Sequence, residues 1–592
     1  MYINRFCLIS LLFFLTGFLT GCGGGGTSPD TTLASSIDYS STSDNLNCIA
    51  GTDSIGSWKT VANNSTSIPN NSNYYFFSYS QPSVNKSGLV TFRGRSKISS
   101  NNGSNQNNSN STIIHGVYAV QSCLQNQTVY RVADNNMYVP PPNTTNVTFT
   151  EFPSIPRIDQ DSGQISTRGM SQSLYILPDG TKIGNAGIYI SLQTGIQTAI
   201  GQFGTIQEYS YMRVPNTTSQ TPISFDQFPG SPTVTDNKVI FKGNYTDVDS
   251  AGASVSKTGI YYRDLNQVNQ PVVLIVDTNT LIPGSSLYFG STAPPSAALG
   301  KVVFVGVDNE SYPSVGGIYM TSLTGNTSLN GFVKIGDPVP DANGNLSSNH
   351  FFTQFGEALS FDGRYVSFWG AWGTQQTQLF LQCPIDGNTA LIDLCNSQSV
   401  NGVTTVSVPT NQGIFVFDSI QNKLWMVATT DPVFSDTTSL YQFNDFLTWT
   451  FSGDPNANDG EPPRWRASAF TSIDGQRGII FKANLQLKSD TTVNASGIYG
   501  ANLGGVDAGK VFKLISMNDS MSTLDPNSPS DSKIISLGIE RESFRSGWLA
   551  LSASSLNTLN ESWAGVYVTN ISSNFMLNGT VDQFGMASVV LK

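Results

Sequence analysis

Charge is what this chain has least of. Charged residues make up 12% of its 592 positions, about half the share usual in soluble proteins. No run of Lys or Arg occurs, and the formal net charge is −11. Such a surface argues against nucleic acid and anionic lipid as partners. Histidine is nearly missing: there are two, His115 and His350, each beside a strand-like run (Ile113-Ile114-His115 and His350-Phe351-Phe352), so both are expected to be structural. No Cys-x-x-Cys pair is present, which argues against a zinc site or dithiol redox chemistry. Gly-x-Ser-x-Gly, His-Glu-x-x-His and phosphate-loop motifs are absent as well. The expected assignment is therefore no catalytic, cofactor or metal residue. Long amphipathic helices are also lacking.

What fills the chain is Gly, Asn, Ser and Thr around many short apolar runs. Hydrophobic content of 39% and aromatic content of 11% suffice for a core and exclude global disorder. The N-terminus reads as an export signal. Arg5 supplies a small positive region, and the apolar run Phe6–Phe18 is too short for an ordinary membrane span. It ends at Leu19-Thr20-Gly21-Cys22, which resembles a bacterial lipobox. The resemblance implies cleavage before Cys22, lipidation of that cysteine (diacylation, with a further acyl chain usual on its amine), and Gly23 after it implies the outer membrane. Several acyl chains give durable anchoring where one does not. Residues 1–21 are thus the expected signal peptide and residues 22–46 a Gly/Ser/Thr-rich flexible tether. No second linker follows, so residues 47–592 are read as one domain.

That domain is repetitive. A strand of pattern hhFxG recurs at Leu89–Gly94, Val239–Gly243, Val302–Gly306, Val366–Gly370 and Ile479–Ala483, with weaker copies at Gln164–Gly169 and Leu549–Ala553. A GhY strand follows at Gly116–Tyr118, Gly187–Tyr189, Gly259–Tyr261, Gly317–Tyr319, Gly497–Tyr499 and Gly565–Tyr567, and in the fifth unit at either Gly413–Phe415 or Leu379–Leu381. A Pro- or Phe-led strand precedes each unit, among them Gln81–Val84, Pro294–Ala297, Glu357–Phe361, Ala467–Phe470 and Ser536–Ile539. A fourth strand ends units such as Phe332–Gly336 and Leu424–Ala428. Period-two alternation with β-branched and aromatic residues supports strands. Seven four-stranded units mean an all-β fold, a seven-bladed β-propeller.

The fourth strand is found six times and the others seven. Trp58–Ala62, followed by Ser67-Ile68-Pro69, fits the missing copy. The N-terminal strand is therefore expected to pair with the C-terminal blade, closing the ring and hiding both sheet edges. The tail beyond Tyr567 is left as an added edge strand or a plug near the seam. The repeats resemble a bacterial extracytoplasmic repeat of the form "vaF.g … GIY … kia..GD.vPg", best over 239–284 and 302–340. Ser360–Phe368 (SFDGRYVSF) resembles the TolB-type propeller signature, with Ser472–Phe481 a looser copy. Both resemblances imply the fold and no activity: Asp-Gly makes a turn and Phe fills the core.

Alternating strands place the second-to-third and fourth-to-first connections on one face. The long insertions Ser96–Ile113, Tyr245–Thr258, Leu485–Ser496 and Ser554–Trp563 fall there, so that face is where a glycan or protein ligand is expected. Units five and six hold Trp369, Trp372, Trp425, Trp449 and Trp465. The strand tryptophans Trp369 and Trp425 are expected in the core. Trp449 and Trp465, with Arg464 and Arg466 beside them, are the candidate ligand residues. Asp454, Asn456 and Asn458 alternate as in a calcium loop, but Gly460 and Glu461 are misplaced for one, and an ordinary turn is preferred. Carboxylate pairs such as Asp247/Asp249 or Glu540/Glu542 suit a glycosidase, though nothing else marks them. Three functional classes follow: a lipid-anchored surface binding protein, an inward-facing periplasmic scaffold, or a propeller hydrolase or lyase.

Four cysteines remain after the signal and the lipid anchor: Cys48, Cys123, Cys383 and Cys395. An even count in an exported chain favours disulfides. Cys48–Cys123 would staple the seam, and Cys383–Cys395 would close a small loop in the fifth-unit insertion. Both pairings predict no free thiol among these four in the exported protein, checked by alkylation and mass spectrometry before and after reduction; alkylation without reduction would refute them.

Overall fold

The computed structural model describes residues 57–571, apart from 99–112, 123–127, 143–146, 172–174, 177–181, 184–185, 193–194, 250, 326–327, 385–388, 435–440, 454–462, 476, 488–489 and 504–509, plus two strands beyond them. The expected signal, the tether, Cys48, Cys123 and the 454–461 turn lie outside the described residues. Seven antiparallel sheets are arranged in a ring, a seven-bladed β-propeller. The hhFxG segments are the second strands of the blades and the GhY segments the third. In blade five the third strand carries Gly413, paired with Gly370, and Leu379–Leu381 belongs to the second strand instead.

The N-terminal strand Lys59–Asn63 pairs antiparallel with Ser562–Asn570, third strand of the seventh blade. Thr60 faces Tyr567 and Asn63 faces Gly565. The ring is thus closed by both chain ends, as the strand count implied. A buried carboxylate reinforces this seam. Asp525 Oδ2 accepts hydrogen bonds from Asn63 Nδ2 at 2.8 Å, Trp563 Nε1 at 3.0 Å and Tyr567 Oη at 3.2 Å. The C-terminal strands Leu577–Val581 and Ala587–Val589 pair with each other, and the latter lies parallel to Val511–Ser516 on the outer edge of blade six.

The repeat motif has a packing reason. Each GhY glycine lies where the fourth strand bulges, with the register shifting at the following residues in six blades and at Thr60/Ala62 in the closing strand. A Cβ on Gly116 would sit 2.2 Å from the Ala133 carbonyl oxygen, and one on Gly317 would sit 2.1 Å from that of Val333. Only hydrogen fits between those backbones. In blades one, two, three and six the tyrosine two residues on meets, edge-on, an aromatic from the blade's first strand or the segment leading into it. Phe76–Tyr118, Phe149–Tyr189, Phe225–Tyr261 and Phe443–Tyr499 have centroids 4.8, 4.9, 5.0 and 5.2 Å apart. Such pairs add about 0.5–1.5 kcal/mol each beyond their buried area.

The first strand is split in most blades. In blade one, Asn71–Tyr79 pairs with the far half of Leu89–Ile98 and Ser83–Val84 with its near half. The near-axis piece departs from expectation in two blades. In blade six it is Thr471–Asp474, because Arg464–Ser468 is taken into an inserted hairpin with Thr448–Ser452. In blade seven the expected strand is present as Lys533–Gly538, and the near-axis piece is Phe544–Arg545.

The near-axis pieces align a ring of buried hydroxyls. Ser83, Thr233, Ser296, Ser360 and Ser472 each pair with the residue preceding the motif Phe. Ser543 takes the place in blade seven, its carbonyl accepting from Ala550 N–H. The hydroxyls reach the next blades: Ser83 Oγ donates to the Pro156 carbonyl, Ser296 Oγ to Leu359, Ser472 Oγ to Arg541 and Ser543 Oγ to Pro82. In blade two the position is Arg157, wholly buried. Its guanidinium grips Glu542 of blade seven with both Nε, at 2.5 Å, and Nη2, and donates to Pro295 O and Ser296 Oγ of blade four. Arg541 and Arg545, also buried, donate to carbonyls of blades four, five and six.

Removing one partner of a buried, bidentate pair leaves an uncompensated charge, at a cost of about 3–5 kcal/mol. Arg157→Met is therefore expected to lower unfolding stability by that order in urea titration. Arg157→Met combined with Glu542→Leu is expected to recover most of the loss, because no charge is then stranded.

Candidate functional site

The face carrying the second-to-third and fourth-to-first connections is built differently from a set of loops. The insertions at Tyr245–Thr258, Leu485–Ser496 and Ser554–Trp563 are continuations of the strands into hairpins, since Lys238–Val248 pairs with Ser254–Asp264 through Val248–Ser254 and the other two blades pair likewise. In blade five the second and third strands run on as Tyr365–Gln382 and Val403–Asp418. A helix, Thr389–Ser397, tops this hairpin, and the Cys383–Cys395 disulfide joins the helix to the strand end. The pairing expected from the sequence is present.

The inserted hairpin of blade six leans on this structure with one face. Trp449 pairs with Ala467 and Phe451 with Trp465 across its strands. Phe451 and Trp465 meet edge-on at 5.5 Å and pack with Leu391 on the disulfide. Trp465 is thereby spent on holding the hairpin to the blade-five tip. Trp449, nearer the propeller body, lines a cleft of about 300 Å³ between blades four, five and six. Arg464 and Arg466 face the other way on the hairpin. Arg464 is exposed and reaches Glu310 of blade four, Nη2 to Oε1 at 3.5 Å, bridging the cleft rim.

The cleft has an apolar wall of Trp449, Leu447, Ala469, Trp369 and Phe355 and a polar side holding Glu310, Glu357, Gln354 and Gln376. Trp369 is core, as expected: it is 3% exposed and its Nε1 donates to Gln412 Oε1 at 3.0 Å. Trp372 is likewise buried, donating to Asp431 at 3.1 Å. Trp425 is half-buried against Tyr365. The arrangement can stack an apolar ring face on one side and bond hydroxyls or amides on the other. Glu310 and the exposed Glu357 escaped the sequence reading as cleft residues, although Glu357 opens the first strand expected in unit five. Only the curvature of the ring brings blade four to blade six.

The carboxylate pairs singled out by sequence are not sites. Glu540 and Glu542 are 2% and 4% exposed and neutralised by Arg541 and Arg157. Asp247 is buried and accepts from Thr218 Oγ1 and Lys257 Nζ at 2.7 and 3.0 Å, and these bonds hold its carboxyl well below the usual range against the opposing effect of burial. Asp249 caps its own turn through Ala251 and Ala253 N–H. His115 Nε2 lies 2.8 Å from the Thr150 carbonyl, and His350 packs on Phe434. These contacts fit the structural role expected of both. Among the described residues no cluster of three potential metal ligands occurs, and no helix is long and apolar enough to cross a membrane.

No protein-family model and no curated protein sequence matches the chain. Solved structures overlap it weakly. A protein of unknown function from Dyadobacter fermentans has 9% identity over 87% of this chain and 100% of its own, with a TM-score of 0.27. The Trypanosoma rangeli sialidase has 8% identity over 83% of this chain and 67% of its own, TM-score 0.28. The Bombyx mori β-fructofuranosidase has 10% identity over 84% and 90%, TM-score 0.24. Overlaps this low carry nothing about activity, and the propeller rests on the sheet topology.

Because the blade-five tip anchors the hairpin that carries Trp449, reduction should be felt at the cleft. Closing a loop of this size is worth about 3 kcal/mol on chain-entropy grounds. The Cys383→Ser/Cys395→Ser variant is expected to be cut far faster by protease within 383–402, with the thermal midpoint of the propeller nearly unchanged. Equal protease resistance would show that the tip does not depend on the bond.

Proposed function

We propose that this protein is an exported binding protein, held to the outer membrane through lipid on Cys22, that captures a glycan or protein ligand in the cleft between blades four, five and six. The observation that carries this is the juxtaposition of the Trp449 wall with Glu310, Glu357, Gln354 and Gln376 in a concave site of about 300 Å³, the size and mixed lining of a small-ligand pocket. The tether expected over residues 22–46 would lift this face away from the lipid. Trp449 is the anchor of the site and Arg464 sets its rim. Calcium forms no part of the reading.

A second reading, a glycoside hydrolase or lyase, draws on two carboxylates lining one cleft. Glu310 is engaged by Arg464 and by Ser291 Oγ at 3.2 Å, which suits a rim contact better than a proton-transfer group. Glu310→Gln and Glu357→Gln separate the readings: binding variants lose affinity, whereas a hydrolase loses product formation from a bound oligosaccharide.

The test is a glycan array and a protein-ligand screen with the purified exported chain, followed by Trp449→Ala. Loss of a hot-spot anchor costs about 2 kcal/mol or more, so affinity for a captured ligand is expected to fall about thirtyfold or more with an unchanged thermal midpoint. Unaltered affinity would remove the cleft as the site. Protease shaving of intact against permeabilised cells decides the side of the membrane: cleavage on intact cells supports surface capture, and protection until permeabilisation supports a periplasmic scaffold.

A further inference from the structure

We propose a second binding site, at the ring seam, for an uncharged polyhydroxylated ring of the size of one neutral sugar. It is separate from the cleft of blades four to six and does not depend on it. A cleft of about 240 Å³ opens between blades seven and one. Its walls are Ser552, Ser554 and Ser536 of blade seven, Phe77 and Tyr79 of blade one, and Trp563 of the strand that the N-terminus closes upon. The cause of the opening is one position of the repeat. The variable residue of hhFxG is Arg93, Arg168, Lys242, Val305, Trp369 and Lys482 in the first six blades and Ser552 in the seventh. Ser536, Ser554 and Ala564 are direct neighbours across three strands, so small side chains continue the gap.

The chemistry of the lining selects the ligand. Among the described residues no Asp, Glu, Lys, Arg or His lines the cleft, so a charged ligand would lose hydration without a counter-charge. Hydroxyl groups both donate and accept, and a polyol matches them group for group. The Tyr79 Oη, at the blade-one wall, is buried and has no hydrogen-bond partner among the described residues. Buried polar groups are rarely left so. Burial, and then proximity to Tyr567 and Asp525, raises the Tyr79 phenol well above its ordinary pKa, so it stays a neutral donor. Trp563 is fixed by its bond to Asp525, the same carboxylate that holds Asn63 of the closing strand. An occupant touching Trp563, Tyr79 and Asn64 therefore bridges both ends of the chain, and its binding is linked to ring closure.

The experiment is thermal unfolding of the full exported chain with glucose, galactose and mannose, each against its uronic acid and amino-sugar counterpart. Concentrations extend to roughly 100 mM, a hundredfold above a millimolar Kd. A neutral hexose is expected to raise the midpoint by about 2–4 °C in wild type and in Trp449→Ala, and not in Ser554→Leu, which fills the cleft. Hydrogen-exchange protection of 77–79 and 552–555 by the hexose in wild type provides a readout that needs no variant. No shift and no protection with any neutral hexose overturns the proposal, and so does an equal response to the uronic acid. A shift that vanishes in Trp449→Ala places the sugar in the other cleft and overturns the seam site while leaving the first reading intact.

Discussion

Everything in this molecule hangs on seven sheets meeting at an axis with no room to spare. At that axis the buried bidentate pair between Arg157 of blade two and Glu542 of blade seven ties together blades that are not neighbours. Around it runs the ring of serine and threonine hydroxyls that hand hydrogen bonds from one blade to another. Closure joins the first strand to the last blade, but every inner strand still needs its polar groups satisfied where no neighbour strand exists on its axial side. Side-chain hydroxyls and three arginines meet that need with donors that reach sideways. Proline at 82, 156, 232 and 295 fits the same place, because a residue without N–H leaves nothing unsatisfied on an inner edge.

The filled axis has a consequence for function. With arginines and glutamates packed across the centre, the open space lies off the axis, in gaps between blades. Two such gaps stand out. One lies where the inserted hairpin of blade six overhangs the base of blade five. The other lies where blade seven carries serine in place of bulk. Both open on the face formed by the strand extensions, whose hairpins are long enough to overhang the gaps and whose tip, in blade five, is held by a disulfide and an aromatic cluster.

Much of the fold was legible because it is periodic. Gly and an aromatic, Tyr in six blades, recur in the third strand opposite the bulge of the fourth, and the count of fourth strands forced the N-terminal strand into the seam. Cys383 and Cys395 were close enough in sequence for their pairing to be read. The candidate cleft was half legible. Trp449, which lines it, and Arg464, which bridges its rim, were marked by their company, whereas Trp465 packs on the blade-five tip, and Glu310 and Glu357 carried no signal for a cleft. The insertions looked like loops because a hairpin solvated on both sides lacks the apolar alternation by which strands are recognised. Glu542 looked like a solvated acid because its partner Arg157 is nearly four hundred positions away.

The chain by itself therefore settles the strand periodicity, the number of blades, the pairing of its first strand with its last blade and the small disulfide loop. Each is a local pattern or a count, and short-range sterics and period-two burial write such patterns into adjacent residues. Tertiary structure alone decides what fills the axis, which tryptophan faces a cleft, and where carboxylates from distant blades converge. Those depend on how a closed ring brings residues from different repeats together, and no spacing along the chain encodes that distance.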